Sequence, residues 1–331
     1  MSRISAAIVF SFLVILSLNL SVVHAQDDDT ENELGIVEQE ETFEFEDTTL
    51  ERTFNQDDLG VLVGNVQRPN GITWFDGNLY TACNGDWTLY QIDDTTGATQ
   101  TFIFGVQDTH SMEILPTEDG FDIWAPDFSK NEITRVDQDR SAPEAITDEI
   151  DGPWGITFLP DQESFLVTSL RQNQILKLDL EGEIAPLVDG LRSPAGIASD
   201  EAYIYVANNG SARRAIEWFD ISEEEPELQS LVSGLQNVSN VVLAPDELLY
   251  FTYALGTRGV VGRVDPEACR DEGCSNEDVE IVLFTELPAP LAGLAFSDDM
   301  RLFVHTIYRP EIYWVSLYGD VSETSPESDS D

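Results

Sequence analysis

Positive charge is what this sequence has least of. Its 16 Lys and Arg stand against 63 Asp and Glu, a formal net charge of −47, and only Lys130 and Lys177 are lysines. Non-specific nucleic-acid binding needs a basic footprint, so that class is excluded, and an anionic membrane surface repels such a chain. Histidine is scarcer still. After His24 only His110 and His305 remain, so three-His zinc chemistry within one chain is excluded. No GxSxG nucleophile elbow and no P-loop occur. A surface rich in acids and almost without lysine suits high salt, which screens self-repulsion. The melting temperature is therefore expected to rise from low to molar salt, and a thermal melt showing no gain would refute this.

Apolar content is sufficient for a sizeable core, at 42% hydrophobic and 10% aromatic residues, which excludes global disorder. Residues 1–25 carry one base, Arg3, then the apolar run Ala6–Leu18 and a small-residue end at Val23-His24-Ala25. That order describes a secretory signal peptide cleaved after Ala25. No later stretch is apolar enough to span a bilayer, so a secreted or periplasmic protein without a membrane span after cleavage is expected. Residues 26–58 hold 14 acids and one base, Arg52, and residues 319–331 hold 5 acids. Both segments are too polar to offset their ordering entropy and are expected to be disordered. Residues 59–318 are left as one folded domain.

Within that domain the sequence repeats. Segments such as GPWGITFLPDQESFLVTSL and RSPAGIASDEAYIYVANN share a polar or Pro turn, a small-residue step, a short apolar strand, a turn and a second apolar strand. A third strand follows in each of six units, for example TLYQID, QILKLD and EIYWVS. The residues before the small step are Asn70, His110, Trp154, Ala195, Ser239 and Ala292, spaced 40, 44, 41, 44 and 53 apart. Four short strands per unit of that length make a propeller blade. The fold class is therefore all-β, a six-bladed β-propeller. The sixth unit lacks a fourth strand, and the segment LGVLVGNVQRPNG near the N-terminus matches APLVDGLRSPAG, the fourth strand and turn of unit three. The N-terminal strand, near Val61–Val66, is expected to complete the last blade and so remove an open edge.

The fifth unit carries an insertion, PEACRDEGCSNED, with Cys269 and Cys274 five apart. An exported chain favours a disulfide between them; free thiols or a metal clip are the other readings, and a CxxxxC pair without nearby His or Cys is poor for zinc. Cys83 is left over and is expected to be buried.

The repeat text, in particular SPAGIASDEAYIYVANNGSARRAIEWFD and GPWGITFLPDQESFLVTSLRQNQILKLD, resembles NHL-type propeller repeats. The six-unit pattern also resembles the gluconolactonase-like, TolB-like propellers and their strictosidine-synthase-like relatives. This resemblance spans residues 59–318 and implies fold more firmly than activity, since propellers host many unrelated functions. The gluconolactonase-like group implies a divalent cation, calcium or another, held by Glu, Asn and Asp near the channel mouth, where Asn70 in PNG matches one Asn ligand. The other mouth positions of this chain depart from that set: His110, Trp154, two alanines and Ser239, with Glu113 and Asp127 only nearby.

A propeller's channel mouth is its default binding site. The turns leading into strand one and leaving strand two share one face, so Asn70, His110, Trp154, Asn208 and Asn240 are expected to converge there from five blades. An aromatic face ringed by amides suits a sugar or another small neutral ligand; a plug filling the channel is the other reading of Trp154. The expected function is a monomeric, exported propeller that binds a small molecule or protein, or serves as a scaffold. The alternative is a metal-dependent, lactonase-like hydrolase. No cofactor is indicated by the residues themselves.

Overall fold

Six small sheets are arranged around one axis in a computed structural model that describes Phe45 and residues 48–318 apart from Asp119 and Glu201. The expected signal peptide, most of the acidic leader and the tail lie outside the described residues. Blade one is built from Pro69–Phe75, Asn78–Cys83, Thr88–Asp93 and Thr99–Phe104 in order from the axis outward. Blades two, three and four repeat this antiparallel order from Glu113–Thr117, Pro153–Leu159 and Pro194–Asp200. Blade five starts at Gln236–Leu243 and blade six at Gly293–Phe296.

Burial explains the composition of each strand. Second strands lie between two neighbouring blades and have no solvent side, so Ser164–Ser169 (SFLVTS) is buried at every residue. Third strands alternate, as in Gln174–Asp179 (QILKLD), and outer strands such as Ile184–Asp189 are mostly open to solvent. The core is a ring of inter-blade seams. In one, Trp124 of blade two meets Phe165 of blade three with ring centroids 4.4 Å apart. Trp87 stands outside these seams, in the loop after the second strand of blade one, and is 57% exposed.

The small-residue step has a physical cause. A Cβ on Gly155 would lie 2.4 Å from the Ala195 carbonyl oxygen of blade four, and one on Gly293 would lie 2.5 Å from Ile72 Cγ2 of blade one as well as 2.1 Å from His305 Nε2 of its own blade. First strands approach the next blade too closely for a side chain there. Blades two and five place Ser111 and Asn240 at the same step, and each uses its polar group to bridge instead. Ser111 Oγ donates to the Trp154 carbonyl at 2.9 Å and accepts from the Ile156 N–H. Asn240 Nδ2 donates to the Leu291 and Ala292 carbonyls, both at 3.2 Å.

The ring closes as expected. Gly60–Val63 pairs antiparallel with Ile312–Ser316 and forms the outer strand of blade six. The pairing is shorter than the expected strand, because Val66 has left the sheet and is buried in the seam between blades six and one. Part of the predicted leader also differs from expectation. Phe54–Asn55 adds a parallel strand to the edge of blade five, Leu50 is buried beside it, and the Thr48 carbonyl accepts from Arg263 at 2.6 Å. Residues 48–58 are thus packed despite their acidity, because Leu50 and Phe54 bury enough to hold them.

The insertion of blade five forms the helix Pro266–Glu272, capped by Asp265, and the strand Cys274–Ser275. That strand pairs in parallel with the outer strand of blade four, Gln229–Ser233. Cys269 and Cys274 form the expected disulfide, and Cys83 is free and buried, its thiol pushed up to about 12 by burial.

Candidate functional site

The turns entering first strands and those leaving second strands meet on one face, termed upper here. Hydrogen bonds tie them together: the Gly85 N–H donates to the Gln67 carbonyl in blade one, and the Phe128 N–H to the Asp108 carbonyl in blade two. In blades one, three, four and five the pairing of strands one and two shifts register at this level, between Pro69 and Ile72 for example. The bulge turns Asn70, Trp154, Ala195 and Ser239 out of the regular ladder, as bulges near sites commonly do.

Two of the five expected mouth residues come into direct contact. His110 and Trp154 stack with centroids 3.4 Å apart and planes 10° from parallel. Phe128, from the loop after the second strand of blade two, meets both edge-on, at 5.8 Å and 5.4 Å. The Arg171 guanidinium lies 4.2 Å from the Phe128 ring centroid and donates to Asn131 Oδ1 at 2.7 Å. All three rings are half-buried. Together they make an aromatic shelf spanning blades two and three.

Asp108 holds the polar side of that shelf. Its Oδ1 lies 3.5 Å from His110 Nε2 and accepts from Asn84 Nδ2 at 3.0 Å, while Oδ2 accepts from Ser129 Oγ. The His110 imidazole, with Ser129 and Asn84, outweighs burial and holds the Asp108 carboxyl at about 2. Asp108 is therefore an anion over the whole neutral range and a fixed acceptor beside the rings.

The other three expected residues lie differently. Asn70 is buried, and its Nδ2 has no hydrogen-bond partner. Asn208 is buried, donates to Glu217 Oε2 at 2.7 Å and accepts from the Arg192 N–H at 2.8 Å. Asn240 staples blades five and six, as described above. The amides of Asn208 and Asn240 are thus occupied by protein partners rather than turned to a ligand. Asp108, Phe128 and Arg171 were not anticipated from sequence. The available signal was position: each lies in a turn of the upper face, Asp108 two residues before His110.

Glu113 and His305 are the other titratable groups near the axis. Glu113, on the first strand of blade two, is pushed up to about 8 by burial, against the lowering effect of a hydrogen bond from the Phe158 backbone. His305 is fully buried, has both ring nitrogens unpartnered, and is pushed down to about 3 by burial. It is a neutral filler in the space that Gly293 leaves open.

These donors do not fit the hard cation implied by the resemblance. Asn70 contributes one amide, the matching positions elsewhere are Trp154, Ala195 and Ala292, and the Asn240 amide is already engaged. Among the described residues no group of three His, Cys, Asp or Glu is placed to hold a metal. Hard cations need six or more oxygen ligands, several of them charged.

No protein-family model matches the chain, and no curated protein does either. Solved structures do. A gluconolactonase from Xanthomonas campestris is 15% identical, with a TM-score of 0.61 over 78% of this chain and 89% of its own. A putative gluconolactonase is 13% identical, with a TM-score of 0.60 over 79% of this chain and 92% of its own. The virginiamycin B lyase of Staphylococcus aureus is 15% identical, with a TM-score of 0.53 over 78% of this chain and 99% of its own. At such identities the likeness speaks for fold alone: the chain is a six-bladed β-propeller, similar in architecture to these structures.

Proposed function

We propose that this protein is an exported binding propeller whose upper face takes a small, largely neutral ligand with a flat apolar surface, such as a sugar ring. The observation that carries this is the His110–Trp154–Phe128 shelf with ionised Asp108 at its side. Aromatic faces supply contact area with little entropy to lose, and a fixed acceptor orients hydroxyl donors. Export is supported by the N-terminal segment and by the Cys269–Cys274 disulfide, which suits an oxidising compartment. Among the described residues no helix is long and apolar enough to cross a membrane.

Neutral sugars and lactones titrated against tryptophan fluorescence test the reading. Trp154→Ala is expected to weaken the best ligand at least ~10-fold, the worth of about 1.4 kcal/mol of contact. Asp161→Lys, on a lower-face hairpin, is expected to leave it unchanged. An unaltered affinity in Trp154→Ala would sink the proposal.

The second reading, a metal-dependent lactone hydrolase, is favoured by the gluconolactonase likeness and opposed by the donor set. Calcium titrated in a thermal-shift assay separates the two, because specific binding to the folded state raises the melting temperature by mass action. A shallow response common to wild type and Asn70→Ala is expected. A steep response lost in Asn70→Ala, together with lactone turnover, would establish the hydrolase.

A further inference from the structure

The bases of the propeller are distributed unevenly between its two faces. On the lower face the six hairpins joining strands one and two contain no Lys or Arg, and the turns joining strands three and four carry Arg140 and Arg270. The hairpins carry Asp76, Glu118, Asp161, Glu163, Glu247 and Asp299 among others. Half of the chain's bases instead lie in upper-face turns, at least one from each blade. Lys130, Arg171, Arg214 and Arg258 are spent in ion pairs with neighbouring carboxylates. Arg68 of blade one, Arg213 of blade four and Arg309 of blade six are exposed and make no ion pair or side-chain hydrogen bond among the described residues. The upper-face turns of blades five, six and one also hold Asp86, Glu286 and Glu311 against Arg68, Arg258 and Arg309, so this sector is near neutral in a chain of net charge −47, with Arg68 and Arg309 as its exposed cations not spent on a paired carboxylate among the described residues.

Apolar exposure follows the same asymmetry. Trp87 at 57%, Phe104 at 67%, Leu255 at 50% and Tyr308 at 61% are four of the five large hydrophobic side chains left exposed among the described residues. Trp87 and Tyr308 lie in loops after second strands, Leu255 ends a second strand, and Phe104 ends the outer strand of blade one where the Gly105 N–H meets the Trp87 carbonyl at 2.7 Å. All four therefore belong to the upper face, on the consecutive blades five, six and one. Tyr308 and Arg309 are adjacent in sequence, and Trp87 and Arg68 lie in the paired turns of a single blade.

This sector is separate from the His110–Trp154 shelf of blades two and three. It is also clear of both ends of the described chain, since Thr48 and Tyr318 meet at Asp246 on the lower face. Exposed Trp, Tyr and Arg together are the composition of interface hot spots. Planar guanidinium groups match carboxylates in paired hydrogen bonds, and the exposed apolar side chains of the same sector need apolar partners. A polysaccharide acid would satisfy the arginines but not Phe104 and Leu255.

From this we infer that the upper face over blades five, six and one docks an acidic polypeptide segment of a partner protein, one in which Asp or Glu alternates with apolar residues. The inference does not depend on the small-ligand reading.

Fluorescence anisotropy on the full chain at physiological salt tests it. The probe is a labelled peptide of alternating Glu and Phe or Leu; polyglutamate and polygalacturonate serve as competitors. Saturable binding is expected, weakened at least ~10-fold by Arg68→Ser with Arg309→Ser and, in a separate variant, by Trp87→Ser. Each replacement is exposed, and an unchanged thermal melt shows that the fold is kept. Trp154→Ala, on the other sector, is expected to bind the peptide normally. Absence of saturable binding, displacement by polygalacturonate as effective as by the unlabelled peptide, or equal weakening by Arg140→Ser on the lower side would each overturn the inference.

Discussion

Arg263→Ala is expected to lower the stability of the propeller by about 3–5 kcal/mol, the usual cost of stripping one partner from a buried charge pair. Arg263 is 3% exposed and lies 3.6 Å from Asp246, whose side chain is fully buried. Its guanidinium donates to Tyr250 Oη at 2.9 Å, Tyr318 Oη at 2.7 Å, Glu280 Oε2 at 2.8 Å and the Thr48 carbonyl at 2.6 Å. Both tyrosines in turn donate to Asp246 Oδ2, at 2.7 Å and 2.5 Å. One cation therefore joins the third strand of blade five, its hairpin, the end of blade six and the incoming N-terminal segment. Alanine would leave the Asp246 carboxylate buried without its counter-ion. Burial and the Asp246 charge push the Tyr250 hydroxyl well above its ordinary range, so it stays a neutral donor to Asp246 and leaves the carboxylate's charge unbalanced. Lysine should recover only part of the loss, since a single ammonium cannot reproduce four directed bonds. Urea unfolding of the wild type, Arg263→Ala and Arg263→Lys measures this, and a loss below about 1 kcal/mol in the alanine variant would show that the network is dispensable.

The architecture was legible because it rests on repetition. Turn, small step and alternating strands recur six times, and each instance reports the same constraint of a first strand pressed against the next blade. The missing fourth strand of unit six was legible for the same reason, as a gap in a pattern with a matching piece at the other end. The site was legible only in part. Six turns were expected to converge, and His110 and Trp154 do touch. Which side chains at the mouth are free depends on neighbours that no repeat specifies. Asn240 shows this well. It stands where other blades have glycine, so its amide faces the Leu291 and Ala292 carbonyls rather than the channel. Asn208 was lost to Glu217, whose charge is shared with Arg214. Asp108 and Phe128 went unnoticed because they lie in turns with no repeated pattern. The leader misled through its average. Its acids dominate the composition, while Leu50 and Phe54 decide the packing of its last eleven residues, 48–58.

Removing the chain through Val66 is expected to abolish cooperative folding altogether. A ring of blades has no free edge only while its first and last segments are joined, and here the join is one strand of four residues, Gly60–Val63. Without it the backbone of Ile312–Ser316 loses its outer partner and keeps only its pairing with Arg301–His305, and a bare edge invites pairing with other molecules. Val63 and Val66 also leave the seam where Ile72, Leu79, Phe303 and Ile312 meet, opening blade six from blade one. A graded series isolates the cause. A chain starting at Phe45, which keeps the contact of that ring with Tyr318, should melt like the full length. One starting at Leu59 should melt lower, because it lacks Leu50, the Phe54–Asn55 strand and the Thr48 carbonyl that Arg263 uses. One starting at Gln67 should aggregate. Gly60→Val attacks the same join without shortening the chain: a Cβ at residue 60 would lie 2.6 Å from Trp314 Nε1, and that indole belongs to the strand being paired. Overpacking of this kind costs about 1–3 kcal/mol, so this variant should still fold cooperatively, at a lower melting temperature than the full length. If the chain starting at Gln67 melted as cooperatively as the full-length protein, closure by the N-terminal strand would not be what holds the ring together.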